Sequence, residues 1–268
     1  MTFARALLAA GAALIATPAF AQESHDWWRF DDLGVTVTTG ADYSAGDYGG
    51  PSDTKILVVP LTVRAKSGPI RLSATLPYLR IDGPGNIVGG GDSGPIIIDP
   101  NDPTPATVRK GLGDLSLAAA YALPDVALGG FEVELGARVK LPTSSERKRL
   151  GTGKTDFSVS LDVARPIGNI APFVTVGYRM PGEPAGVALR NSFTTSVGTT
   201  VSLGAATLIA SYDYSEATSR FVDDSHSLFG GMNLPLSKRI SLTGYGTAGL
   251  SEGAPDFGAG LLLSAKIF

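Results

Sequence analysis

Phe131-Glu132-Val133-Glu134-Leu135-Gly136-Ala137-Arg138-Val139-Lys140-Leu141 carries two messages in one stretch. Its odd positions are Phe, Val, Leu, Ala, Val and Leu, and its even positions are Glu, Glu, Gly, Arg and Lys. Successive side chains of an extended chain point to opposite faces, so this is a strand with one unbroken apolar face and one charged face. A globular strand is usually ~5–6 residues long, whereas a tilted strand needs ~9–11 to cross a bilayer. The length and the uninterrupted apolar face both favour the bilayer.

The same alternation recurs along the chain. Phe157, Val159, Leu161 and Val163 interleave with Asp156, Ser158, Ser160 and Asp162, and similar runs cover 193–203, 206–214 and 257–267. The full set of candidate strands is 33–44, 54–66, 70–82, 112–123, 131–141, 155–164, 170–180, 189–203, 206–215, 224–235, 239–250 and 256–268. Connections alternate in length: Lys66 to Pro69, Arg165 to Asn169, Gly204-Ala205 and Ser237-Lys238 are short, while Gly83 to Gly111 and Ser144 to Lys154 are long. Short turns at one end and long loops at the other, with an even strand count, describe an all-β, antiparallel up-and-down transmembrane β-barrel of about twelve strands. Both termini then share the short-turn, periplasmic end. A soluble sandwich also alternates, but its strands are shorter and its polar face meets water rather than facing inward.

The N-terminal segment reads as an export signal. Arg5 precedes the apolar run Ala6 to Ile15, and Ala19-Phe20-Ala21 supplies a small-x-small cleavage site, so residues 1–21 are expected to be removed and 22–268 to form the barrel domain. The apolar run is shorter than the ~20 residues of a membrane helix. Trp27 and Trp28 follow. They read as an interfacial anchor, or alternatively as part of a short plug at 22–32. The chain has 34 Gly, no Cys and two His, a mean hydropathy of +0.15 and a net charge of −3. Lack of Cys excludes a disulfide framework, and the charge gives no reason to expect nucleic acid. No cofactor or metal site is indicated.

At the C-terminus the apolar set is Phe257, Ala259, Leu261, Leu263, Ala265 and Ile267, whereas Phe268 shares parity with Lys266 and Ser264. Either Phe268 leaves the strand register or the terminal signal is weak.

Several ordered segments carry a resemblance: Leu76-Pro77-Tyr78, Gly111-Leu112-Gly113-Asp114-Leu115, Lys140-Leu141-Pro142-Thr143, Leu150-Gly151-Thr152-Gly153, Asp156 and Val176-Gly177-Tyr178-Arg179. Together they resemble the outer-membrane family of the MetA pathway of phenol degradation, over roughly residues 70 to 180. The resemblance implies a transporter-like barrel of the bacterial outer membrane passing small, often aromatic or apolar molecules.

Other motifs lose to plainer readings. Ile87-Val88-Gly89-Gly90 beside Gly91-Asp92-Ser93-Gly94-Pro95 mimics two protease signatures that belong at opposite ends of a domain, and His25 has no triad placement. Gly151-Thr152-Gly153-Lys154-Thr155 resembles the tail of a phosphate loop, but Lys148 stands at the first glycine position and a strand follows. Ser145 and Lys148 fit a Ser-x-x-Lys spacing in a charged loop. An outer-membrane lipid hydrolase would set His and Ser side by side on the outer face. Here His226 and its neighbours Ser225 and Ser227 have opposite parity. No catalytic residue is assigned.

With the apolar parity outward toward outer-membrane lipid, the inward candidates are Arg64, Arg71, Asp114, Glu132, Glu134, Arg138, Lys140, Asp156, Asp162, Arg179, Arg190 and Asp213. Lys140 is expected to pair with Asp114 or Asp156, and Arg190 with Asp213, at the extracellular end. These residues either fill the interior as salt bridges or line a narrow path for a small-molecule solute. Twelve strands lie between filled eight-stranded barrels and open sixteen-stranded porins, so an open general porin is not favoured. Residues 83–111 are a candidate gate.

Overall fold

The computed structural model describes residues 33–47, 53–84, 87–89, 95–97, 105–124, 129–184 and 186–268. Among these described residues fifteen strands run in chain order. The first eight are β1 (Gly34–Gly46), β2 (Thr54–Ser67), β3 (Ile70–Gly83), β4 (Ile87–Gly89), β5 (Pro95–Ile97), β6 (Thr107–Leu112), β7 (Leu115–Ala122) and β8 (Glu132–Leu141). They are followed by β9 (Asp156–Ala164), β10 (Ile170–Met180), β11 (Ser192–Leu203), β12 (Ala206–Ser215), β13 (Ser225–Pro235), β14 (Ile240–Gly249) and β15 (Phe257–Lys266).

Thirteen of these form one antiparallel sheet, in which β6 and β7 share a single position against β3. That leaves twelve positions. The ring closes because β1 pairs with both β2 and β15. β4 and β5 form a separate small hairpin in the long connection after β3. Residues 1–21, expected from the sequence to be an export signal, Trp27 and Trp28, and much of 83–111 lie outside the described residues.

Burial follows parity, as a barrel requires. On β10, Ala171, Phe173, Thr175 and Gly177 are buried while Ile170, Val174 and Val176 are exposed. Outward positions form an apolar band that includes Leu61, Leu72, Leu135, Leu161, Leu228 and Leu263. Aromatic rings cluster on this face toward the long-loop end, with Tyr178 against Phe193 at 4.8 Å and Tyr43 against Phe257 at 5.9 Å. Such girdles mark the membrane interface. A soluble protein would not expose this ring of leucines; lipid covers it.

The C-terminal register resolves simply. Leu262 and Ser264 point inward, Leu261 and Leu263 outward, and the strand ends at Lys266. Phe268 therefore lies past the last paired residue, 73% exposed.

Candidate functional site in the barrel interior

The strand expected over 112–123 is broken. β6 pairs with the upper part of β3 and β7 with the lower, and Gly113 bridges them by donating its N–H to Pro77 O at 2.8 Å. The break turns Asp114 into the barrel, 4% exposed. Lys140, also 4% exposed, places its Nζ 3.2 Å from Asp114 Oδ2 and 2.8 Å from Asp156 Oδ2. Lys140 is the register partner of Asp156, while Asp114 reaches it from the neighbouring β7 side. One cation faces two carboxylates, so further donors are needed. Ser144 N–H supplies Asp114 Oδ1 and Gly182 N–H supplies Asp156 Oδ1, each at 2.9 Å. Lys140 gives another hydrogen to Thr152 Oγ1 at 3.1 Å.

Around this triad the segments that carry the family resemblance meet. Thr143 Oγ1 accepts from Leu115 N–H at 2.8 Å, and Gly151 packs against Asp114 so closely that a Cβ there would collide with its carboxylate. The Gly-Thr-Gly sequence that mimics a phosphate loop is thus a strap over an ion triad. The Ser145/Lys148 pair sits at a short 3-10 turn, Glu146–Lys148, in the same loop.

A second charged group lies on the walls formed by β2, β3, β8 and β9. Arg71 is ion-paired with Glu134, with Arg64 and Arg138 within electrostatic reach of the pair. The pair joins alternate strands, not adjacent ones. Arg71 is opposite Ala120 and Glu134 opposite Ala122, so the intervening β7 presents only methyl groups beneath the bridge. Glu132 is half-buried on the same inward face of β8.

From Glu134 a continuous register row crosses the sheet: Glu134, Asp162, Thr175, Ser196, Asp213 and Ser227 are successive Cα partners. Thr175 Oγ1 donates to Asp162 Oδ1 at 2.6 Å, and Ser196 Oγ donates to Asp213 Oδ1. Because the strands tilt, this row climbs from the short-turn end at Glu134 to Asp213, two residues from the long-loop end of β12. The expected Arg190–Asp213 pair does not form. Arg190 is exposed in the loop before β11, where its Nε donates to Ala217 O at 2.7 Å. β11 begins only at Ser192, so strand parity has no hold on Arg190. Arg179 is half-buried at the end of β10 and donates to Ser215 Oγ at 3.4 Å.

Three features escape the sequence-based expectations. Tyr245 hydroxyl donates to Asp42 Oδ2 at 2.6 Å, reaching across β15 where Gly260 is the register partner of both. A Cβ on Gly260 would enter the Tyr245 ring. Inward apolar side chains also occupy the β10–β15 wall: Phe173 packs with Ile209 and Phe229, and Phe229 with Tyr245 and Leu262. Their inward parity is readable, but polar-in patterning draws attention away from apolar inward residues. Finally, the mouth at the long-loop end holds an apolar cluster of Ile56, Leu79, Ile81 and Leu150 with Val222 packed on it. Leu150 comes from the loop after β8 and Val222 from the loop after β12, so two loops meet β2 and β3 inside the rim.

His226 lies on the outward parity, with its ring beside Tyr212 and Tyr214, while Ser227 is buried on the inward side. No group of three or more potential metal-binding side chains occurs among the described residues.

The ordered segments 76–78, 111–115, 140–143 and 150–156 converge in space, and residues 54–267 match the family described as MetA-pathway of phenol degradation. The chain belongs to that family. No curated protein matches it. Among solved structures it is similar to the COG4313 outer membrane channel from Pseudomonas putida F1, with a TM-score of 0.67 and 14% identity over 92% of this chain and 100% of that one. It is also similar to the translocator domain of the autotransporter NalP from Neisseria meningitidis, with a TM-score of 0.50 and 12% identity over 89% and 91% of the two chains. At these identities the likeness is one of fold. Family, fold and apolar band make this MetA-pathway family member an outer-membrane β-barrel embedded in lipid.

Proposed function

We propose that this barrel is a gated outer-membrane channel for small amphipathic solutes, with an aromatic ring or short apolar body and a polar or charged group. The observation that carries this reading is the division of the inner face. Arg64, Arg71, Arg138, Glu134 and Asp162 cluster on the β2–β9 side, whereas Phe173, Ile209, Phe229, Tyr245 and Leu262 lie on the β10–β15 side among hydroxyl side chains and the single carboxylate Asp213. A solute with one apolar and one polar face can satisfy both walls at once, whereas a hydrated ion or a sugar satisfies only one. The family's association with phenol degradation and the likeness to an outer membrane channel of Pseudomonas putida F1 agree with transport, and neither specifies the solute.

Single-channel recording in planar bilayers tests this. Discrete conductance steps are expected, blocked by millimolar benzoate or a phenol and unaffected by the same concentration of glucose. Phe229→Ala should weaken the block roughly fivefold, consistent with loss of one aromatic contact of ~1 kcal/mol. Blocking by glucose and benzoate alike would sink the amphipathic reading.

A second reading is favoured by one observation. The apolar cluster under Leu150 and Val222 closes part of the mouth, and the Arg71–Glu134 bridge occupies the interior. A barrel whose interior is filled by such contacts serves as a membrane scaffold without transport. It would show no conductance under any gating condition, even with Leu150 and Val222 both changed to Ser. Lipid hydrolysis is disfavoured by the opposed facing of His226 and Ser227, and a phospholipid ester assay on refolded protein checks it.

A further inference from the structure

The outward face of β3 carries Ile70, Leu72, Ala74, Leu76 and Tyr78, and then changes character at Arg80 and Asp82. β6 runs beside it with Leu112 opposite Tyr78, Lys110 opposite Arg80 and Val108 opposite Asp82. Arg80 and Lys110 are both exposed and share the outward parity of the exposed Tyr78, Leu112 and Val108. Two cations thus face one another across a strand pair, one pleat above the aromatic edge of the apolar band. Like charges directly opposite are unfavourable unless something negative lies between them. Asp82, on the same face, is the register partner of Lys55 on β2 and of Val108 on β6, not of either cation. Among the described residues neither Arg80 nor Lys110 has an acidic partner.

The strap after β8 holds β6 from the inner side. The turn Glu146–Lys148 leans on β6, and Lys148 Nζ donates to Lys110 O at 3.2 Å. Its neighbour Arg149 is also exposed, and its carbonyl accepts from Arg109 Nη1 at 3.2 Å, which pins the turn in place. Lys148 Nζ therefore lies on the inward side of β6 beside Gly111 and Leu150, while Arg80 and Lys110 share one patch of the outer rim. Directly beneath it is the apolar ladder that contacts lipid chains.

We infer that Arg80 and Lys110 bind the phosphates of lipopolysaccharide, the phosphorylated glycolipid of the outer leaflet, while its acyl chains lie against Tyr78, Leu112 and Leu76. The order of chemistry along the strand matches that of the lipid: hydrocarbon, aromatic interface, then anion. Arginine supplies a bidentate fork and the lysine compact charge, the usual division of labour at phosphates. A soluble phosphate would leave the alignment with the apolar ladder unexplained, so the lipid is the occupant. This role is independent of the channel reading.

The test compares binding of lipid A, the phosphorylated anchor of lipopolysaccharide, to the refolded full chain in phosphatidylcholine nanodiscs. The parent should bind bis-phosphorylated lipid A, with affinity falling as salt rises. Arg80→Gln/Lys110→Gln should bind about thirtyfold more weakly, the combined effect of two interfacial cations. Lys238→Gln/Arg239→Gln carries the same charge change at the short-turn end and should bind as the parent does. Dephosphorylated lipid A, with identical chains, should not compete, and inorganic phosphate at the same concentration should not displace the lipid. Equal binding of the two lipids, displacement by free phosphate, or equal loss in both double variants would overturn the inference. Heat-modifiable electrophoretic mobility confirms that each variant is a folded barrel before it is scored.

Discussion

Lys140 is a buried cation whose two carboxylate partners are fixed by backbone amides of two different loops. Replacing it with Met leaves both acids desolvated and uncompensated, which costs about 3–5 kcal/mol. Lys140→Met should therefore lower the urea midpoint of the refolded barrel. Changing Asp114 and Asp156 to Asn in the same chain should recover most of the loss, because no net charge is then buried and the amide oxygens still accept from Ser144 and Gly182. No recovery would mean that the cost is packing rather than charge. Gly260 makes a separate residue-scale prediction. Gly260→Ala pushes a methyl into the ring of Tyr245, an overpacking cost of about 1–3 kcal/mol. The same substitution in a Tyr245→Ala background should cost almost nothing, so a double-mutant cycle should show strong coupling. Additive effects would remove Tyr245 as the cause.

At the scale of elements, alternation locates the strands well because lipid outside demands an unbroken apolar face along each one. The loops follow other rules, and there the reading loses its grip. Arg190 falls inside a run whose parity looks continuous, but it lies in the loop before β11, and hydrogen bonds to the 217–218 segment settle its position. The Asp114–Lys140–Asp156 group is legible because its members sit at strand ends on neighbouring strands. Arg71–Glu134 and Asp42–Tyr245 are not, because each passes over a third strand, and only topology reveals that Ala120 and Gly260 lie beneath. The loop after β12 makes a further prediction. Asp224 accepts from Ala217 N–H at 2.8 Å and from Tyr214 hydroxyl at 2.7 Å. These donors, the backbone amide foremost, hold its carboxyl below the usual carboxylate range, with Arg190 and His226 nearby adding positive potential. Its contribution to loop order is complete above the ordinary value of 3.8 and is lost as pH falls through the lowered one. Acidification from pH 5 to pH 3 should thus loosen residues 216–224, read as broadening of their backbone amide signals. Asp224→Asn should show no such pH dependence.

For the whole molecule, the proposed passage leads past the loops at the long-loop end. Leu150 is 1% exposed and meets Val222 above the β2–β3 wall, so the two loops together cover that part of the mouth. Polar substitution of both, Leu150→Ser with Val222→Ser, should raise the open probability in planar bilayers at least severalfold without changing the step size of the open state. An unchanged open probability would place the barrier deeper in the barrel. The bond from Tyr245 to Asp42 joins residues 203 positions apart and lies at the junction of the first and last strands. Contacts so distant in sequence form late, after the intervening chain has been ordered. Until β14 and β15 pair, β1 therefore has an open edge and Asp42 lacks its hydroxyl donor. The tyrosine clasp thus fastens the seam at which the first and last strands of the barrel meet.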